Sequence, residues 1–121
     1  MANRRIPTTD GVAAVAAWRA DGAGATREVL ATAVRYTLDQ LAVAAPGRSV
    51  EVRVPPFGAV QVIEGQSHRR GTPPAVIETD PETWLGLATG ALAWPDAVAT
   101  GAVDASGTRA DLAALLPLLP T

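Results

Sequence analysis

The sequence predicts an α+β domain with a mostly antiparallel sheet of four to five strands covered by helices. Three observations predict it. Residues 26–45 carry apolar residues at three- and four-residue spacings, the stripe of an amphipathic helix. "SVEVRV" alternates valines with Glu51 and Arg53, the period of a half-buried strand. The period then changes back to helical after Asp80-Pro81.

The elements follow in order. "TTDGVAAVAAWRADG" offers Thr9 or Asp10 as N-cap, an Ala/Val body and Gly22 as a stop. The second helix runs from Thr26 to about Ala45 on Leu30, Val34, Leu38, Leu41 and Ala45, with Arg35 and Asp39 one turn apart on another face and Pro46-Gly47 as its end. Val50, Val52 and Val54 then make one face of a strand, which Pro55-Pro56 stops because proline donates no ladder hydrogen bond. "FGAVQVIEG" reads as a second strand, with Val60 and Val62 on one face and Ala59, Gln61 and Ile63 on the other. "AVIET" is a third strand. Asp80 caps a helix with Pro81 at its first position and Gly90 past its end. "PDAVAT" is a short helix from Pro95 to Gly101, and "AVDAS" a last strand. Thr108 and Asp111 have the spacing of a weak capping box before a terminal helix, "RADLAALL", up to Pro117. Five leucines fall within residues 112–119.

Composition narrows the function classes. With 121 residues the chain is long enough for one domain, and a domain of that size buries roughly two-thirds of its unfolded surface. It has no cysteine, which excludes disulfides, thiolate metal sites and a cysteine nucleophile. All ten basic residues are arginine, and the net charge is −2. The arginines are scattered, whereas a nucleic-acid binder needs a basic stripe, so no nucleic-acid partner is expected. No apolar run reaches the roughly 18–20 residues of a membrane span. The N-terminal residues lack the apolar stretch of a signal peptide, so a cytoplasmic location is expected.

The chemistry-bearing residues are few. "EGQSHRRGTPP" holds the chain's one histidine, His68, beside Arg69 and Arg70. His68 as a general base needs a nucleophile or an orienting carboxylate, and Glu64 and Glu78 are the candidates within a hairpin's reach. The two arginines suit a carboxylate or phosphate. Gly, Ser, Gln and Pro around them are equally the ingredients of a solvated turn. Asp and Glu are dispersed, and "DGAGAT" lacks the spacing of a phosphate-binding loop, so no metal or cofactor is expected. Trp84, Trp94 and the terminal leucines supply more apolar surface than a small sheet and its helices need, which points to a partner or an apolar ligand.

Beyond these residues, "TDPETWLGLATGALAWPDAVATGAVDASGTRADLAALLPLL" resembles the end of a sterol carrier protein (type 2-like) domain, through Leu87, Gly90, Leu92, Ala97, Gly101, Val103 and Gly107 and the leucine-rich terminus. The likeness is greatest to the compact bacterial orthologue branch, which also shows stretches like "VEVRVPPFGAVQ" and "HRRGTPP". It covers residues 26–119, leaving 1–25 as an N-terminal helical extension of a single domain. The resemblance implies a non-enzymatic, sterol-carrier-like fold with an apolar tunnel for lipids, sterols or fatty acyl groups. Expected lining residues are Val60, Val62, Trp84, Leu87, Leu92, Trp94, Val98, Leu112, Leu115 and Leu116, with His68, Arg69 and Arg70 at a polar mouth. Two other readings stay open. One is a protein-interaction module, a homodimer or docking surface built on the leucines and Trp94. The other is an accessory domain with a polar small-molecule pocket around His68 and Arg69.

Overall fold

A computed structural model describes residues 5–65, 75–107 and 110–119 of the chain. Helix α1 (Thr8–Asp21) and a short 3-10 turn lead into α2 (Arg27–Ala44); strands β1 (Val50–Val54), β2 (Gly58–Val62) and β3 (Ala75–Thr79) follow. Helices α3 (Pro81–Thr89) and α4 (Trp94–Ala99) precede the last strand, β4 (Val103–Gly107). The α+β class is the expected one. The sheet of the described residues has four strands in the order β2-β1-β3-β4. β1 pairs antiparallel with β2 and β3 with β4, while β1 and β3 are parallel.

Alternation decides the two faces of this sheet. Val50 lies opposite Val62 and Ala75, and Val52 opposite Val60 and Ile77, so their side chains share one face. Val50, Val52, Val54, Val62, Ala75, Ile77 and Val103 are buried there. The opposite face carries Arg53, Ala59, Glu78, Asp104 and Ser106, all exposed, and the Arg53–Glu51 ion pair at 2.7 Å. Helices therefore cover one face only. Helix α2 packs on β2 and on α3, and α1 packs on α2.

Several local expectations are corrected. Helix α1 starts at Thr8, immediately after Pro7, whose carbonyl accepts the Gly11 amide at 2.9 Å; neither Thr9 nor Asp10 caps it. Helix α4 starts at Trp94, placing Pro95 in its first turn, and β4 is shifted by one residue to end at Gly107. Arg35 does not pair with Asp39: its Nε donates to the Phe57 carbonyl at 3.0 Å, tying α2 to the β1–β2 turn.

The terminal helix is the largest correction. Residues 110–119 contain a turn at 113–115 and otherwise irregular backbone. Asp111 Oδ1 accepts the Ala113 amide two residues on (2.8 Å), which is Asx-turn geometry that competes with a helix. The amides of Leu118 and Leu119 donate to Ala88 in α3. A segment this short, cut by Pro117, cannot sustain a helix on propensity alone, and tertiary partners take its backbone groups.

Candidate functional site

The site is built around α3, whose start and end both follow from local sequence. Asp80 accepts hydrogen bonds from the Thr83 amide and hydroxyl, each at 2.8 Å, and fixes the first turn. Every residue from Trp84 to Thr89 is buried. Gly90 ends the helix in the left-handed region at φ 85°, a conformation that L side chains rarely adopt. The chain then folds back, so that the Leu92 amide donates to the Gly86 carbonyl at 3.0 Å. A Cβ on Gly86 would stand 3.2 Å from Leu92 Cβ, so the small residue lets Leu92 press against α3.

The C-terminal segment closes over this turn. Pro117 passes Gly90 so closely that a Cβ there would lie 3.3 Å from Pro117 Cβ. Beyond it, the Leu118 and Leu119 amides both donate to the Ala88 carbonyl, at 2.9 and 3.0 Å. That carbonyl belongs to the last turn of α3, where carbonyls have no intrahelical partner.

Between α3, the turn to α4 and the C-terminal segment lies a cleft of about 290 Å³, lined by Leu87, Gly90, Leu92, Ala93, Trp94, Pro95, Ala113, Leu116 and Pro117. None of these residues carries a charge, a hydroxyl or an imidazole. Such a surface supplies no acid, base or nucleophile; what it offers is burial of an apolar group, at roughly 25 cal/mol per Å².

Four of the residues singled out from sequence, Leu87, Leu92, Trp94 and Leu116, meet in this cleft. Val62, Trp84 and Leu112 do not line it; they are fully buried in the core. Val60 lines a different cleft of about 390 Å³ between α2 and β2, beside Arg35, Asp39 and Phe57. Leu115 is half-buried, and Val98 faces solvent on α4 at 44% exposure. His68, Arg69 and Arg70 lie outside the described residues, as does Thr108. Glu64 and Glu78, their suggested partners, are exposed. Among the described residues, no three His, Asp or Glu side chains converge as a metal-ligating cluster. No helix among them is long and apolar enough to cross a membrane.

Sequence reasoning missed Gly90, Ala93, Pro95, Ala113 and Pro117. Their signal was present: a left-handed helix stop and a proline break mark where two chain segments cross at close range.

Comparison with curated proteins finds no match. The family described as bacterial SCP orthologues matches residues 26–118, a span that holds α2 to β4 and every residue of the cleft. The chain therefore belongs to this sterol-carrier-protein-like bacterial family.

Proposed function

We propose that the protein is a non-enzymatic binding or carrier domain for an apolar small molecule of the lipid or fatty acyl kind, taken up in the cleft between α3, α4 and the C-terminal segment. The observation that carries this reading is the uncharged, predominantly apolar lining of that cleft, made by residues inside the family match. Its volume of about 290 Å³ lies at the lower end of the roughly 300–1,000 Å³ of small-molecule pockets. Each methylene buried there contributes about 0.8 kcal/mol, so about ten of them correspond to micromolar affinity before the cost of association is met.

Titration with an apolar fluorescent probe, alongside native mass spectrometry of the purified protein, tests it. Trp94→Ala should weaken probe binding about tenfold or more, equivalent to about 1.4 kcal/mol, whereas Val98→Ala on the solvent side of α4 should not change it. Equal probe affinity in both variants, with no lipid co-purifying, would refute the reading.

A further inference from the structure

The cleft that Val60 lines, of about 390 Å³ between α2 and the start of β2, shares no residue with the α3–α4 cleft. Its apolar wall is Ile6, Leu38, Phe57 and Val60. Ile6 precedes the span that matches the family, so this chain completes the cleft with a residue of its own N-terminal part. Two arginines fix Phe57 in that wall. The Arg27 guanidinium stands 5.5 Å from the centre of its ring, and Arg35 Nε donates to its carbonyl at 3.0 Å. The second of these bonds also separates two charges. Arg35 and Asp39 sit one helical turn apart, where opposite charges ordinarily attract each other. Arg35 is drawn to the β1–β2 turn instead, and the two form no ion pair. Both line the cleft, Asp39 half-buried and Arg35 exposed.

The geometry points to this cleft as a binding site for a free apolar α-amino acid. With Nε committed to the turn, the two terminal nitrogens of Arg35 are the fork left to receive a carboxylate. Asp39 is the acceptor for an ammonium. Cβ atoms one turn apart on a helix are about 5–6 Å from each other. Two charges so placed match a ligand that carries its anion and its cation close together, as an α-amino acid does on one carbon. The ligand's side chain then lies against Leu38, Phe57 and Val60, where burial favours a branched or aromatic group over none. An acyl chain with a single headgroup would leave one of the two charges against hydrocarbon. The site is independent of the carrier reading, because the two linings have no residue in common.

Titration of the isotope-labelled protein with leucine, followed through its amide shifts by NMR, tests the site. The shifts should map to Gly58, Ala59 and Val60 and to α2 around Asp39, leaving Leu92 and Trp94 where they are. Leucine should bind about tenfold more tightly than glycine, which has no side chain to bury. It should also bind about tenfold more tightly than N-acetyl-leucine or leucinamide, each of which lacks one of the two charges. Asp39→Asn should abolish the preference for leucine over N-acetyl-leucine, and Arg35→Gln the preference over leucinamide. The same spectra report whether each variant is folded, and the comparison of ligands on the parent protein needs no variant. No shift at millimolar leucine, shifts that fall elsewhere, or equal affinity of the parent for leucine and its two single-charge analogues overturns the site. A preference that survives both substitutions in folded protein does the same.

Discussion

At the residue scale, the core turns on one buried polar pair. Trp84 is almost completely buried, and its Nε1–H donates to Thr37 Oγ1 at 2.7 Å. Thr37 is itself inaccessible, and its hydroxyl donates onward to the Ala33 carbonyl at 2.8 Å. Among the described residues, every buried side-chain polar atom has a partner in this way. Thr37→Val keeps the side-chain volume but removes the acceptor, leaving an indole N–H buried and unpaired. That asymmetry, more than the loss of one hydrogen bond, sets the cost at about 1–3 kcal/mol. Urea unfolding of Thr37→Val against Thr37→Ser measures it, and the serine variant, which keeps the hydroxyl, should recover much of the difference. Equal midpoints for the two variants would show that Trp84 does not depend on this acceptor. The pair was invisible in the sequence because nothing in the spacing of residues 37 and 84 says that they meet; only the packing of α2 on α3 brings them together.

At the scale of elements, legibility followed how local the determinants are. Helix α3 was readable because Asp80, Pro81 and Gly90 are its own caps, and β1 because its valines alternate against a single covered face. In α2 the expected stripe holds at Val34, Leu38 and Leu41, yet Ala33, Tyr36 and Thr37 are buried too. The buried arc is wider because α2 serves three neighbours, the sheet, α1 and α3, and sequence periodicity shows one face at a time. The parallel pairing of β1 with β3 was likewise hidden, since alternation assigns faces and not partners. The cleft was half legible for a related reason: an apolar residue type does not distinguish a cleft wall such as Trp94 from core such as Val62 or Leu112. Contact between α1 and α2 depends on Gly11, where an added Cβ would overlap the Tyr36 ring. Alanine there would gain helix propensity and lose packing, so valine is the cleaner test. Gly11→Val should destabilise by about 1–3 kcal/mol through overpacking. Thermal unfolding checks this, and a midpoint at or above that of the parent would mean that α1 can shift without loss.

For the whole molecule, the arrangement is a single core under one face of a sheet, and its N-terminal helix lies outside the span that matches the family. Helix α1 nonetheless places Ala14, Val15 and Trp18 in that core. Trp18 Nε1 also donates to Glu82 Oε2 at 3.1 Å, joining α1 to the first turn of α3. Helices cover one side of the sheet, and α1 packs on α2 with Gly11 against the Tyr36 ring. Truncating one buried tryptophan to alanine already costs about 3–5 kcal/mol, and removing residues 1–25 takes away Trp18 together with Val15 and Ala14. Against a total stability of about 5–15 kcal/mol for a domain, a chain beginning at residue 26 should lose most of its margin. It should unfold at low urea with a broadened transition and bind a hydrophobic dye such as ANS, although it keeps every residue of the α3–α4 cleft. Trp18→Phe, which keeps an aromatic ring of smaller size and removes the bond to Glu82, should cost well under the loss of the whole side chain, about 1–2 kcal/mol, so burial and not the hydrogen bond is the main contribution of α1. A chain of residues 26–121 with the parent's cooperative midpoint and no dye binding would show that the matched span is self-sufficient and that α1 is an appendage to it.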